Sequence, residues 1–110
     1  MNRKKLDKLK RELLQMRLSP QKAENIASLA KRLGRRKAKR GKEPVYESIE
    51  FNDLFPVSIP HHGGKDIPIG TRNSILNQLE DDIHAWEFKL ELEGDSDAEE
   101  ESESENGDAS

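Results

Sequence analysis

Charge in this chain is sorted by position, and the sorting limits which segments can be buried. Residues 1–42 hold 16 basic and 3 acidic side chains, whereas residues 43–110 hold 3 basic and 19 acidic ones. The formal net charge of −3 averages two opposed halves and describes no real surface. Lys, Arg, Asp and Glu are almost never fully buried unless paired. Residues 31–42, where eight of twelve positions are Lys or Arg, are therefore expected to be exposed. Residues 93–110 carry nine acids and no base among Ser, Gly, Asn and Ala. They have no apolar surface to offset their ordering entropy and are expected to be disordered. With 110 residues and 32% hydrophobic content, what remains supports one small domain and excludes a two-domain enzyme.

Three apolar stripes supply the expected core. Leu6, Leu9, Leu13 and Met16 recur at helical spacing within residues 3–18, with Lys4, Lys5, Lys8 and Arg11 on the opposite face. Such a basic amphipathic helix suits RNA, a membrane surface, a docking partner or plain packing with a solvated face. Ser19-Pro20 predicts the start of a second helix, with Ile26, Leu29, Ala30 and Leu33 inward and Gly34 closing it. Val45, Tyr46, Ile49 and Phe51 predict a strand, and Val57-Ser58-Ile59 a shorter one before Pro60. After Gly63-Gly64 and Pro68-Ile69-Gly70, Thr71 is expected to cap a long helix bearing Ile75, Leu76, Leu79, Ile83, Trp86 and Leu90. The expected fold is α+β, in three parts: a basic helix at 1–18, a domain at 19–92 and an acidic tail at 93–110.

Several chemistries are excluded. There is no cysteine, so no disulfide, thiolate metal site or cysteine nucleophile. Three histidines without helical i,i+4 spacing do not make a zinc site, and no metal or other cofactor is expected. The basic start at Met1-Asn2-Arg3-Lys4-Lys5 is not followed by an apolar run, and no stretch reaches membrane-spanning length. A soluble cytoplasmic chain is expected.

The segment from Val57-Ser58-Ile59-Pro60-His61-His62-Gly63-Gly64-Lys65 through Asp66-Ile67-Pro68-Ile69-Gly70-Thr71 to Arg72-Asn73-Ser74-Ile75-Leu76 resembles the signature of the HicA family, small toxins of bacterial toxin-antitoxin pairs. The resemblance covers residues 57–79 well and the rest partially; the N-terminal helix and the acidic tail lie outside it. It implies a double-stranded-RNA-binding-like α-β-β-β-α fold, with residues 35–40 as the first strand and 45–51 as the second. It further implies messenger-RNA cleavage as a type II mRNA interferase, and a HicB-like antitoxin partner covering the RNA-binding face. One departure bears on catalysis. The family's histidine follows an Arg-Gly-Ser or Gly-Ser pair, whereas here Arg40-Gly41 leads to Lys42-Glu43-Pro44, with Glu43 about where that histidine would stand.

RNA cleavage needs a group to take the ribose 2′-hydroxyl proton and one to protonate the leaving 5′-oxygen. The catalytic candidates are Glu43, His61 and His62, each with a plainer alternative: a carboxylate neutralising a basic patch, or a histidine bonding its own loop. Adjacent residues of an extended segment point to opposite sides, so at most one of the two histidines faces a common site. For RNA binding the candidates are Arg35, Arg36, Lys37, Lys39, Arg40 and Lys42 in the basic run, with Lys65 and Arg72. Each phosphate they neutralise releases counterions. Unpaired amides at Gly70-Thr71-Arg72 would add an anion site. No aromatic is interleaved with the basic run, which points to backbone contact with structured or double-stranded RNA rather than base stacking. An acidic tail on the same chain is also able to compete for the basic surface at low salt. Two readings of function stand: an RNA-cutting HicA-like toxin, and a non-catalytic RNA-binding or interaction module that keeps the fold without the usual histidine.

Overall fold

The structure, a computed structural model, describes residues 1–40, 43–61 and 63–94. The expected tail disorder concerns residues that, from position 95 on, lie outside the described ones. The fold is α+β: three helices and a small antiparallel sheet of three strands in the order β1-β2-β3.

Helix α1 (Arg3–Met16) contains no Gly, Pro or β-branched residue, and apart from Asp7 its residues are strong helix formers. The Asn2 side chain caps it by accepting from the Lys5 amide at 2.8 Å. Leu6, Leu9 and Leu13 are buried, as their spacing predicts. Helix α2 (Ala23–Arg32) starts later than Ser19-Pro20 promises. The Ile67 amide donates to the Gln21 carbonyl at 2.8 Å, and Lys22 pairs with Asp66 as an antiparallel bridge. These contacts hold residues 21 and 22 extended, which delays the helix. At its other end Gly34 has φ 100°, and a Cβ there would lie 3.5 Å from the Trp86 ring. The turn thus needs glycine for its backbone, while Trp86 donates from its indole N–H to the Leu33 carbonyl at 2.7 Å.

Strand β1 (Arg35–Arg40) pairs with β2 (Glu43–Ser48) over six positions from Arg35↔Ser48 to Arg40↔Glu43, and β2 pairs with β3 (Val57–Ser58). β2 ends at Ser48 instead of continuing to Phe51. The chain turns there, and Phe51 packs edge-on against Trp86 with ring centroids 4.9 Å apart. Helix α3 (Ile69–Leu92) begins before Thr71, because the Arg72 amide already donates to the Pro68 carbonyl at 2.8 Å. Thr71 is therefore inside the first turn and is not the cap. α3 buries Ile75, Leu76, Leu79, Ile83, Trp86 and Leu90, the residues of the expected stripe. α1 packs on α3 and α2, α2 covers β1 and β2, and α3 meets β3. Among the described residues no helix is long and apolar enough to cross a membrane.

Arg35, expected to be exposed, is buried. Its guanidinium donates from Nε and Nη2 to the two Asp82 oxygens, both at 2.7 Å, and from Nη1 to the Tyr46 and Phe55 carbonyls at 2.8 and 3.1 Å. Both side chains of the pair are 1% exposed. Burial pushes the Asp82 carboxyl above its ordinary range, and the two bonds from Arg35 offset part of that. A fork-to-fork pair of this kind holds β1 against α3 with fixed geometry. Asp82→Ala strands a buried guanidinium and is expected to lower unfolding free energy by about 3–5 kcal/mol in urea titrations. The double change Arg35→Met with Asp82→Leu is expected to cost far less, since no charge is left uncompensated.

Candidate nucleic-acid interface

Side chains alternate across a strand, so the basic strand β1 divides its charge between two faces. Arg35 and Lys37 share the face that meets the helices, with Tyr46 opposite Lys37. Arg36 is on the other face, opposite Glu47, and is exposed. The expected continuous patch from Arg35 through Arg40 is therefore not one surface. Lys39 and Arg40 belong to the strand by their backbone, and Lys42 lies outside the described residues.

On the helix-facing side, α2 and the sheet leave a cleft of about 440 Å3. It exists because the α2 residues over β2 are small: Ala23 and Ala27, one turn apart, leave open the space that larger side chains would fill. Tyr46 and Ile59, both buried, contribute to its apolar lining. Five cations line it, Lys22, Lys31, Arg32, Lys37 and Lys65, against one carboxylate, Glu24. Lys31, Lys37 and Lys65 are exposed. Lys22 donates to the Gly64 carbonyl at 2.9 Å and pairs with Asp66 at 3.4 Å, which ties α2 to the glycine loop. Arg32 makes a two-pronged pair with Glu12 at 2.7 and 2.8 Å. The Arg32 guanidinium holds the Glu12 carboxyl below its usual range, and the carboxylate in turn raises Arg32.

His61 is exposed and lines the same cleft; His62 lies outside the described residues. Val45 stands opposite Ser58, and the Ile59 amide donates to the Pro44 carbonyl at 3.2 Å. The pairing between β2 and β3 goes no further than that bond. His61 and Lys65 line the cleft, as does Pro44, the neighbour of Glu43; Glu43 itself belongs to β2 by its backbone.

Arg72 does not line it. It is 6% exposed, and its guanidinium donates to the Ser19 and Arg17 carbonyls, each at 2.8 Å, and to the Asn73 side chain at 3.1 Å. It closes the C-terminal end of α1, which has no basic residue of its own in its last turn. The expected phosphate site at Gly70-Thr71-Arg72 is therefore corrected: its cation is consumed by the fold. Sequence reading also missed Lys22, Lys31 and Arg32 as residues of the cleft lining. The available signal was the Ala23, Ala27, Lys31 progression, which places a lysine at the end of a small-residue trough. Among the described residues no cluster of His, Asp and Glu is placed to hold a metal ion. Compared with protein-family models, curated proteins and solved structures, the chain matches none.

Two outcomes are expected. Ala27→Leu fills the cleft at a half-exposed position and should leave the thermal midpoint within a few degrees while reducing polyanion binding at least tenfold, read by anisotropy. For the Glu12–Arg32 pair the folded-state pKa of Glu12 is depressed, so its stabilisation is present above the unfolded value and is lost as pH falls through the folded one. Glu12→Gln should therefore cost up to about 1 kcal/mol at pH 7. That difference should shrink in unfolding curves as pH is lowered below the ordinary carboxylate range.

Proposed function

We propose that the protein binds RNA along the cleft between α2 and the sheet, and that it is a HicA-like messenger-RNA endonuclease of double-stranded-RNA-binding-like fold. The observation that carries this reading is the convergence of exposed Lys31, Lys37, Lys65 and His61 on one cleft, beside Lys22 and Arg32 in their surface pairs with Asp66 and Glu12, with a single carboxylate in its lining. A ligand that complements such a site is a chain of phosphates, and each one neutralised contributes a counterion-release gain. The element order α2-β1-β2-β3-α3 is the α-β-β-β-α order that the resemblance implies. Tyr46 is the one aromatic in the cleft lining and is buried, which favours recognition through the backbone over base stacking.

The chemistry fits a transesterification. Glu43 takes the proton from a ribose 2′-hydroxyl, whose oxygen attacks the adjacent phosphorus. The bond from phosphorus to the 5′-oxygen breaks, and His61 supplies that oxygen with a proton. The products are a 2′,3′-cyclic phosphate and a free 5′-hydroxyl. Lys37 and Lys65 stabilise the negative charge that develops on phosphorus in transit. His62 serves as the alternative proton donor. A HicB-like antitoxin would cover the same cleft and would need to offer it acidic groups. The second reading, binding without cutting, is favoured by one particular: a carboxylate, Glu43, stands where the family has its histidine.

End-labelled long RNA incubated with the purified protein tests both. The expected result is binding whose log affinity falls with log salt at a slope of about −3 to −4 for single-stranded RNA, on roughly 0.7 per contacted phosphate. Cutting should leave cyclic-phosphate ends and be lost in Glu43→Gln without loss of fold or binding. Combined His61→Ala and His62→Ala should slow cutting about 100-fold or more. RNA retarded but never cut establishes the binding module; absence of salt-dependent binding overturns the proposal.

A further inference from the structure

Resting on that reading of the first cleft, we propose that the groove between α1 and α2 is a second phosphate track, so that the preferred ligand is an RNA duplex straddling α2. The groove measures about 770 Å3 and shares two wall residues, Ser28 and Arg32, with the first cleft. The exposed edge of α2 is therefore a ridge with a cationic trough on either side. Lys8, Arg11 and Arg32 supply charge to the second trough, with Gln15, Asn25 and Ser28 as polar lining. Met16 is the one apolar residue there and no aromatic is present, so this trough is built for sugar and phosphate.

The charges of α1 are divided to the same end. Lys10 and Arg17 turn to α3, where Glu87 and Glu80 answer them at 3.1 and 2.9 Å. Positions 8, 11, 12 and 15 lie on another face, at spacings of three and four, and it is this face that lines the groove. Glu12 is the one carboxylate in the groove lining, and it is committed to Arg32 on the ridge. A single strand needs one trough. Two troughs separated by the body of a helix, about 10 Å across, suit the wide, shallow minor groove of an A-form duplex, whose two bordering phosphate strands are reached from the surface. α1 lies outside the α-β-β-β-α unit, so this second track is an addition carried by the N-terminal segment.

The experiment compares a blunt RNA duplex of about 16 base pairs with a single strand of the same length, each titrated by anisotropy across a salt series. The full chain is expected to bind the duplex at least tenfold more tightly. Lys8→Ala with Arg11→Ala, both exposed positions, should lower duplex affinity about tenfold and flatten its salt slope by about 2, leaving single-strand binding unchanged. Lys37→Ala with Lys65→Ala should weaken both ligands. If the α1 variant binds the duplex like the parent while the cleft variant loses both ligands, the second track is overturned and RNA binding at the first cleft stands. If neither variant changes either titration, both readings fall together. Circular dichroism melts of each variant confirm that the helices are retained.

Discussion

The buried pair between Arg35 and Asp82 is the contact on which the arrangement of the molecule turns. β1 is made of residues with little intrinsic preference for a strand, four of its six positions apart from Arg35 and Ala38 being Arg or Lys. Its place is set by the β2 ladder on one side and, at its first residue, by a guanidinium locked to α3 and to two backbone carbonyls. Once Arg35 faces inward, strand alternation places Lys37 on the same face and Arg36 on the other. The position of one cation in the cleft thus follows from the burial of another two residues earlier. A pair of this kind contributes more to register than to net stability, because desolvation consumes most of its attraction.

The same economy of charge organises the helices. Acidic side chains of α3 answer the basic residues of α1 that face it, through Lys10–Glu87 and Arg17–Glu80, and Lys89 bridges Glu50 and Glu93. These surface pairs are individually worth little. Their consequence is distributional: cations that meet α3 are neutralised, and along α2 Lys22 and Arg32 are paired with Asp66 and Glu12, while Lys31, Lys37 and Lys65 line the cleft exposed. A chain with a net charge near zero can in this way present one strongly positive side.

How much of this was legible beforehand differs by element, for physical reasons. The helical stripes of α1 and α3 were readable because burial of Leu6, Leu9 and Leu13, and of Ile75 through Leu90, depends on a period that sequence displays directly. The strand at Val57-Ser58 was readable from clean alternation. Boundaries were less so: the start of α2 is governed by a backbone pairing with residues 66 and 67, and that of α3 by a carbonyl ahead of Thr71. The functional assignments split along the same line. Lys37, Lys65 and His61 reach the cleft, whereas Arg35 and Arg72 are spent on partners 47 and 55 positions away in the chain. Nothing beside either arginine in the sequence marks it for burial; a distant carboxylate or an uncapped helix end decides it.

Arg72 also sets an order of events during synthesis. The carbonyls that finish α1 wait for a guanidinium that leaves the ribosome more than fifty residues later. Chains grow from the N-terminus at about 5–20 residues per second, so for several seconds the first helix has neither its closing donor nor the leucine-bearing face of α3 to rest on.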